Sequence, residues 1–138
     1  MNELVSLIDL PVTLLNSAGI GISGLQGNPL QQIDDHWPGE IFIQISESQV
    51  GRAIRTKRWK YSVKAPFKSG WFHSGAKIYR EEFLYDLEND PHELLNLARC
   101  PELKKFRTEL RKKLIDRMTA AGEKAPVILG KRIRKKAT

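Results

Sequence analysis

The one cysteine, Cys100, opens the run Cys100-Pro101-Glu102-Leu103-Lys104. A single thiol excludes an internal disulfide and a multi-cysteine zinc site, and it says little about redox compartment. Asp34-Asp35-His36 has the residue types of a divalent-cation cluster. It lies, however, in a stretch punctuated by Gly and Pro, where such side chains are ordinarily solvated. The run Lys131-Arg132-Ile133-Arg134-Lys135-Lys136 places five cations in six residues. It suits a solvated tail, or a contact with RNA, a membrane surface or another polyanion.

The chain that must position these groups has 138 residues, with 23 Lys and Arg against 16 Asp and Glu. Charge is divided along it. Residues 1–50 hold six acids and no Lys or Arg, leaving ten acids and all 23 cations to the rest, so that −6 stands against +13. That asymmetry implies two structural contexts rather than a uniformly basic nucleic-acid binder. With 41% apolar residues the chain can bury a core. No apolar run approaches the roughly 18–20 residues of a membrane span. The N-terminus lacks a basic region ahead of its apolar stretch and does not read as a signal peptide.

Residues 2–18 carry Leu4, Leu7, Ile8, Val12, Leu14, Leu15 and Ala18 at helical spacing, and Gly19 ends the pattern. Pro11 requires that the helix begin near Asp9 or kink there. The apolar coverage is wide for so short a helix, which implies a partner surface. Residues 19–39 form a long irregular connection. The period then switches to two, predicting strands at 41–46, 51–56, 59–64 and about 82–87, with a hairpin step at Thr56-Lys57-Arg58. Residues 65–80 form a loop carrying Trp71, Phe72 and His73. Asp90-Pro91-His92-Glu93 has the form of a capping box opening a short helix over 91–98. A last helix, from Pro101 to about Ala121, buries the stripe Leu103, Phe106, Leu110, Leu114, Met118, Ala121, with Lys104, Lys105, Arg107, Arg111 and Lys112 turned away. The fold class is α+β: an antiparallel sheet of about four strands packed by a long C-terminal helix, preceded by one further helix.

Three stretches resemble the formylglycine-dependent sulfatase family. Ser6-Leu7-Ile8-Asp9-Leu10-Pro11-Val12-Thr13-Leu14-Leu15 is similar to the family's S-x-x-D-x-x-P-T-x-L helix, with Val12 where a second Pro is common. Arg52-Ala53-Ile54-Arg55-Thr56-Lys57-Arg58-Trp59-Lys60-Tyr61 is similar to its R-x-V-R-T-x-R-x-K-Y hairpin. The run from Phe83 to Leu97, read as FLYDLENDPHELLNL, is similar to its L-Y-D-L-x-x-D-P-x-E-x-x-N-L segment. The resemblance implies a place within a larger protein. Residues 1–39 correspond to the terminal helix and crossing loop of an upstream catalytic α/β domain, 40–124 to the C-terminal subdomain, and 125–138 to a basic, disordered tail.

The resemblance also fixes what is missing from this chain. The family's formylglycine arises from Cys or Ser in C-x-P-x-R. After Cys100 the Pro comes one position early and the Arg is absent. The family's calcium ligands belong upstream of the Ser6–Thr13 helix. Calcium and formylglycine are therefore expected only in the full-length parent, and no catalytic or metal-ligating residue is assigned here. In this family the C-terminal subdomain borders the active-site mouth, and sulfate is an anion that Arg and Lys recognise through charge-assisted hydrogen bonds. The substrate-binding candidates are Arg52, Lys60, His73 and Lys77, with Gln44 and Glu47 for hydroxyls and Trp59 and Trp71 for stacking on sugar. The expected partners are the upstream domain, through residues 1–20, and a sulfated glycan, with no membrane. A small basic module binding nucleic acid or another polyanion is the competing reading, but no helix-turn-helix, zinc or RNP-type signature supports it.

Overall fold

The computed structural model describes residues 3–131. The chain divides after Ile41 into two compact units.

In the first unit, helix α1 (Asp9–Ser17) begins at Asp9, so Pro11 falls in the first turn, where its missing N–H costs nothing. The helix ends with Ile20 N–H on the Leu15 carbonyl and Gly19 N–H on that of Asn16. The long connection after it is tied back onto the helix. The Asp9 carboxylate accepts the Ser6 N–H at 2.7 Å and the Asn28 N–H at 2.8 Å. The Thr13 hydroxyl donates to the Asp9 carbonyl and accepts the Leu30 N–H at 2.9 Å. Trp37 Nε1 donates to the Leu4 carbonyl. Asp9 and Thr13 are thus fasteners for a loop that contains only a single 3₁₀ turn, Leu30–Gln32. Leu7, Ile8, Leu10 and Leu14 remain exposed, in keeping with the wide apolar coverage read from the sequence.

The second unit carries a five-stranded sheet in the order β1 (Glu40–Ile45), β2 (Gly51–Thr56), β3 (Trp59–Lys64), β4 (Ile78–Asp86), β5 (Val127–Leu129). The pairs β2–β3 and β3–β4 are antiparallel, and β4–β5 is parallel. The four-stranded antiparallel sheet expected from the sequence is roughly right, but it gains a fifth strand from the segment read as tail. Helix α2 (Lys104–Ala120) supplies the crossover that a parallel neighbour requires. At the end of α2, Gly122 takes φ +88°, a left-handed conformation that costs glycine little. Residues 132–138, half of the expected basic tail, lie outside the described residues.

Leu110, Leu114 and Met118 of α2 bury against Ile54, Tyr61, Val63, Tyr79, Leu84 and Ile128 of the sheet. Trp59 packs against Phe106, ring centroids 4.7 Å apart. A register shift between Ser62 and Val63 lets Glu81 and Leu84, three residues apart, share the helix-facing side. No helix among the described residues is long and apolar enough to cross a membrane.

Two local expectations are corrected. Residues 91–98 form turns and a 3₁₀ turn at Leu97–Arg99 rather than a helix. Glu93 takes φ +56°, incompatible with a right-handed helix, and its carboxylate reaches Lys60 Nζ instead of closing a capping box. Arg107 and Arg111 do not face solvent with the other cations of α2. Both turn inward to the buried carboxylate of Glu81.

Candidate functional site

The candidate site is the β3–β4 connection, residues 65–77, with the strand ends that flank it. Its base is fixed from several sides. Ala65 N–H donates to the Val50 carbonyl at 2.8 Å. Gly70 sits so close to the Ser46 and Glu47 carbonyls that a Cβ there would approach each oxygen to 2.5 Å, so only glycine fits. His73 N–H donates to the Ser69 carbonyl, and the His73 Nδ1 lies 3.2 Å from the same oxygen. Ala76 N–H donates to the Tyr79 hydroxyl at 3.1 Å. Burial pushes that phenol above its ordinary pKa, so it stays protonated.

Arg52 completes the base. Its guanidinium donates to Glu123 Oε1 at 2.6 Å, to the Ser74 carbonyl at 2.6 Å and to the Gly51 carbonyl at 2.7 Å, and the residue is 1% exposed. One side chain therefore joins β2, the loop and the segment after α2. From this fixed base the loop lifts Phe67, Trp71 and Phe72 into solvent, at 102%, 75% and 85% exposure. Phe67 holds φ +63°, a strained value for a non-glycine residue. An open cleft of about 680 Å³ lies beside it, lined by Phe67, Lys68, Lys77, Ile78, Arg80 and Leu129 among others.

The structure gathers only some of the residues singled out in the sequence. Lys77 is exposed and lines the cleft. His73 and Trp71 stand on the same loop, and Glu47 lies in the β1–β2 connection against which Gly70 packs. Gln44 is exposed on β1. Arg52 is engaged by internal partners beneath the loop. Lys60 lies elsewhere: it is four residues along β3 from Lys64, about 13 Å away, and is held by Glu93 at 2.7 Å. Trp59 is packed under α2. Phe67, Lys68 and Arg80 were not singled out, although the aromatic and basic residues gathered between Pro66 and Gly75 are a signal that marks the first two; Arg80, in β4, carries none.

The other charged cluster is structural. Glu81, with a side chain 1% exposed, accepts Arg111 Nη2 at 2.7 Å, the Tyr61 hydroxyl at 3.0 Å and the Lys131 N–H at 3.1 Å, and lies 3.5 Å from Arg107 Nε. Burial alone would raise its pKa. The Arg111 hydrogen bond and the Lys131 N–H outweigh burial and hold the carboxyl below its usual value. At the β2–β3 turn, Arg58 grips Asp86 through Nε at 3.0 Å and Nη2 at 2.8 Å, and these hydrogen bonds draw the Asp86 pKa down to about 2. Asp90 accepts the N–H groups of Leu94 and Leu95. Asn96 accepts from Leu84 and Ala98 N–H and donates to the Glu82 carbonyl.

Among the described residues no cluster of three His, Cys, Asp or Glu could hold a metal ion. His36 and Asp34 are 94% and 64% exposed in their side chains. Cys100 Sγ donates to Glu102 Oε2. What the site offers chemically is recognition of an anion by exposed cations beside aromatic faces.

No family model matches the chain. An ulvan-active sulfatase of Formosa agariphila is 35% identical across 56% of this chain and 19% of its own length. A protein solved in complex with its substrate D-glucosamine-2-N,6-O-disulfate shares the fold at TM-score 0.67 and 21% identity, over 86% of this chain and 24% of its own. A 2-O GAG sulfatase shares it at TM-score 0.63 and 25% identity, over 83% of this chain and 25% of its own. The chain thus spans about a fifth of the curated relative and about a quarter of each solved structure. In sequence and fold it is a sulfatase-like C-terminal portion.

Proposed function

We propose that this chain is the substrate-recognising and structural portion of a sulfuric ester hydrolase that acts on sulfated carbohydrate. The formylglycine and calcium of that chemistry would come from residues outside this chain. The observation that carries the reading is the β3–β4 loop: a base locked by Arg52, Gly70 and Tyr79 holds aromatic and basic side chains out in solvent.

In this reading Lys77 and His73 supply hydrogen bonds to sulfate oxygens, Trp71 stacks on a sugar face, and Gln44 and Glu47 meet hydroxyls. Arg52 acts as a positioning residue through Ser74. Lys60, committed to Glu93, reaches substrate only if that ion pair opens. The exposed leucines of α1 and the residues before it meet the upstream domain, which would cover an apolar surface unusual for an isolated small unit.

The test has two arms. The purified chain, supplied with calcium, is expected to turn over neither aryl nor carbohydrate sulfates. Grafted in place of the matching stretch of the ulvan-active sulfatase, it is expected to support desulfation, and Lys77→Ala in that chimera to raise KM more than it lowers kcat. Multiple-turnover desulfation by the chain alone, or a chimera indifferent to Lys77, overturns the reading.

A further inference from the structure

The two ends of the β3–β4 loop are held differently. The incoming end packs on the β1–β2 connection, through Ala65 and Gly70. The outgoing end, residues 74–77, is held by the segment that follows α2. Val127 N–H donates to the Lys77 carbonyl at 2.9 Å. Glu123 Oε1 accepts Arg52 Nε at 2.6 Å, and Arg52 Nη2 donates to the Ser74 carbonyl at 2.6 Å. Gly75 passes against both groups: a Cβ there would stand 3.5 Å from Glu123 Oε2 and 3.6 Å from Arg52 Nη2. The same guanidinium lies over the Tyr79 ring, 5.9 Å from its centroid, and the Tyr79 hydroxyl takes the Ala76 N–H.

The position of Glu123 is itself set by the core. Its N–H donates to the Met118 carbonyl at 3.0 Å, and Gly122 N–H donates to that of Thr119, also at 3.0 Å, the paired bonds by which a left-handed residue closes a helix. Met118 is fully buried. A Cβ on Gly122 would meet nothing within 4 Å, so glycine is favoured there by its φ of +88° alone. Without the Glu123 carboxylate the Arg52 guanidinium, with a side chain 2% exposed, would carry a buried and uncompensated charge. To hydrate that charge it must withdraw from Ser74.

We propose that Glu123 is a positioning residue for the β3–β4 loop, acting through Arg52, so that the C-terminal end of α2 sets where the outgoing half of the loop stands. The contacts run from Met118 in the core to Glu123, then to Arg52, 71 residues away in sequence, and on to Ser74. The clasp lies beneath the loop and touches no ligand; it holds the backbone from which His73 and Lys77 project. That those side chains meet sulfated carbohydrate rests on the reading above, whereas the coupling of helix end to loop rests on the contacts alone.

The test is amide hydrogen exchange in the 138-residue chain, read at Ala76 and Val127 against the paired amides of β2 and β3. Glu123→Ala is expected to speed exchange at Ala76 by about tenfold or more relative to those strands. Glu123→Gln, which keeps an oxygen for Arg52 Nε, should speed it less. Gly122→Ala touches no loop residue, yet by displacing Glu123 it should release Ala76 as well, and Gly122→Asn, a residue that accepts positive φ, should restore much of the protection. Equal acceleration at Ala76 and in β2–β3, or none at Ala76, overturns the positioning role, because a merely structural ion pair gives one or the other. In the chimera described above, Glu123→Ala is expected to raise KM several-fold and to lower kcat by less. Release of Ala76 with KM unchanged would overturn the part of the loop in substrate recognition and leave the coupling standing.

Discussion

The segment from Glu81 to Arg99, which includes the end of β4, and the loop from Ala65 to Lys77, which leads into that strand, treat charge in opposite ways. In the first, Glu81, Asp86 and Glu93 each have a cationic partner, and the Asp90 and Asn96 side chains fasten backbone amides. In the second, Lys68 and Lys77 point into an open cleft and three aromatic rings face water. The recognisable run from Leu84 to Leu97 is a set of structural fasteners. The residues proposed to meet a ligand lie outside it, where no motif guides the eye.

This contrast can be broken by mutation, beginning where the effect should be largest. Glu81→Ala leaves Arg107 and Arg111 buried without their carboxylate, and a loss of about 3–5 kcal/mol is expected. Urea unfolding checks it; a change under about 1 kcal/mol would mean the cluster is no more than a surface pair. Asn96→Ala removes two hydrogen bonds between the turn and β4 and one within the turn, to Ala98 N–H, and about 1–3 kcal/mol should go with them. Asp90→Ala deprives two amides of an acceptor near the surface, costing on the order of 1 kcal/mol; an unshifted midpoint would argue that water replaces it fully. Smallest are changes in the loop. Trp71→Ala should stay within about 0.5 kcal/mol of the parent, and Phe67→Gly should be neutral or slightly stabilising, because it relieves the φ +63° backbone. A large loss from either would show that the loop aromatics belong to the core.

Acid titration sharpens the same contrast. Asp86 is drawn from 3.8 to about 2, first by its hydrogen bond from Arg58. A carboxylate with a depressed folded pKa contributes stability that is fully present above its unfolded value and lost as pH falls through its folded value. The Asp86–Arg58 contribution should therefore fade between about pH 4 and pH 2. Asp86→Asn should flatten the stability curve in that window, while Lys77→Ala should leave it unchanged.

Much of the scaffold was legible in the sequence. The strands predicted at 51–56 and 59–64 are β2 and β3, because a polar two-residue step between alternating runs fixes both ends of a hairpin. The stripe from Leu110 to Met118 is buried as its spacing implies. β5 escaped because three residues cannot display a period, and its pairing depends on a crossover of 40 residues from β4. The expected helix at 91–98 failed because Glu93 satisfies its charge on Lys60, a partner 33 residues away. Arg107 and Arg111 read as solvated for the same reason: Glu81 is brought beneath them by a register shift in β4 that no local pattern announces. Arg52 was singled out for its charge, whereas its burial against Glu123 and Ser74 is a property of the assembled fold.

The division of labour between the two regions is tested most directly by titrating the isotopically labelled chain with a sulfated disaccharide and following its backbone amide resonances. The account expects the shifts to concentrate at residues 44–47, 67–80 and 129, with the amides of 84–99 unmoved. Shifts centred on 84–99 with a silent β3–β4 loop would contradict it.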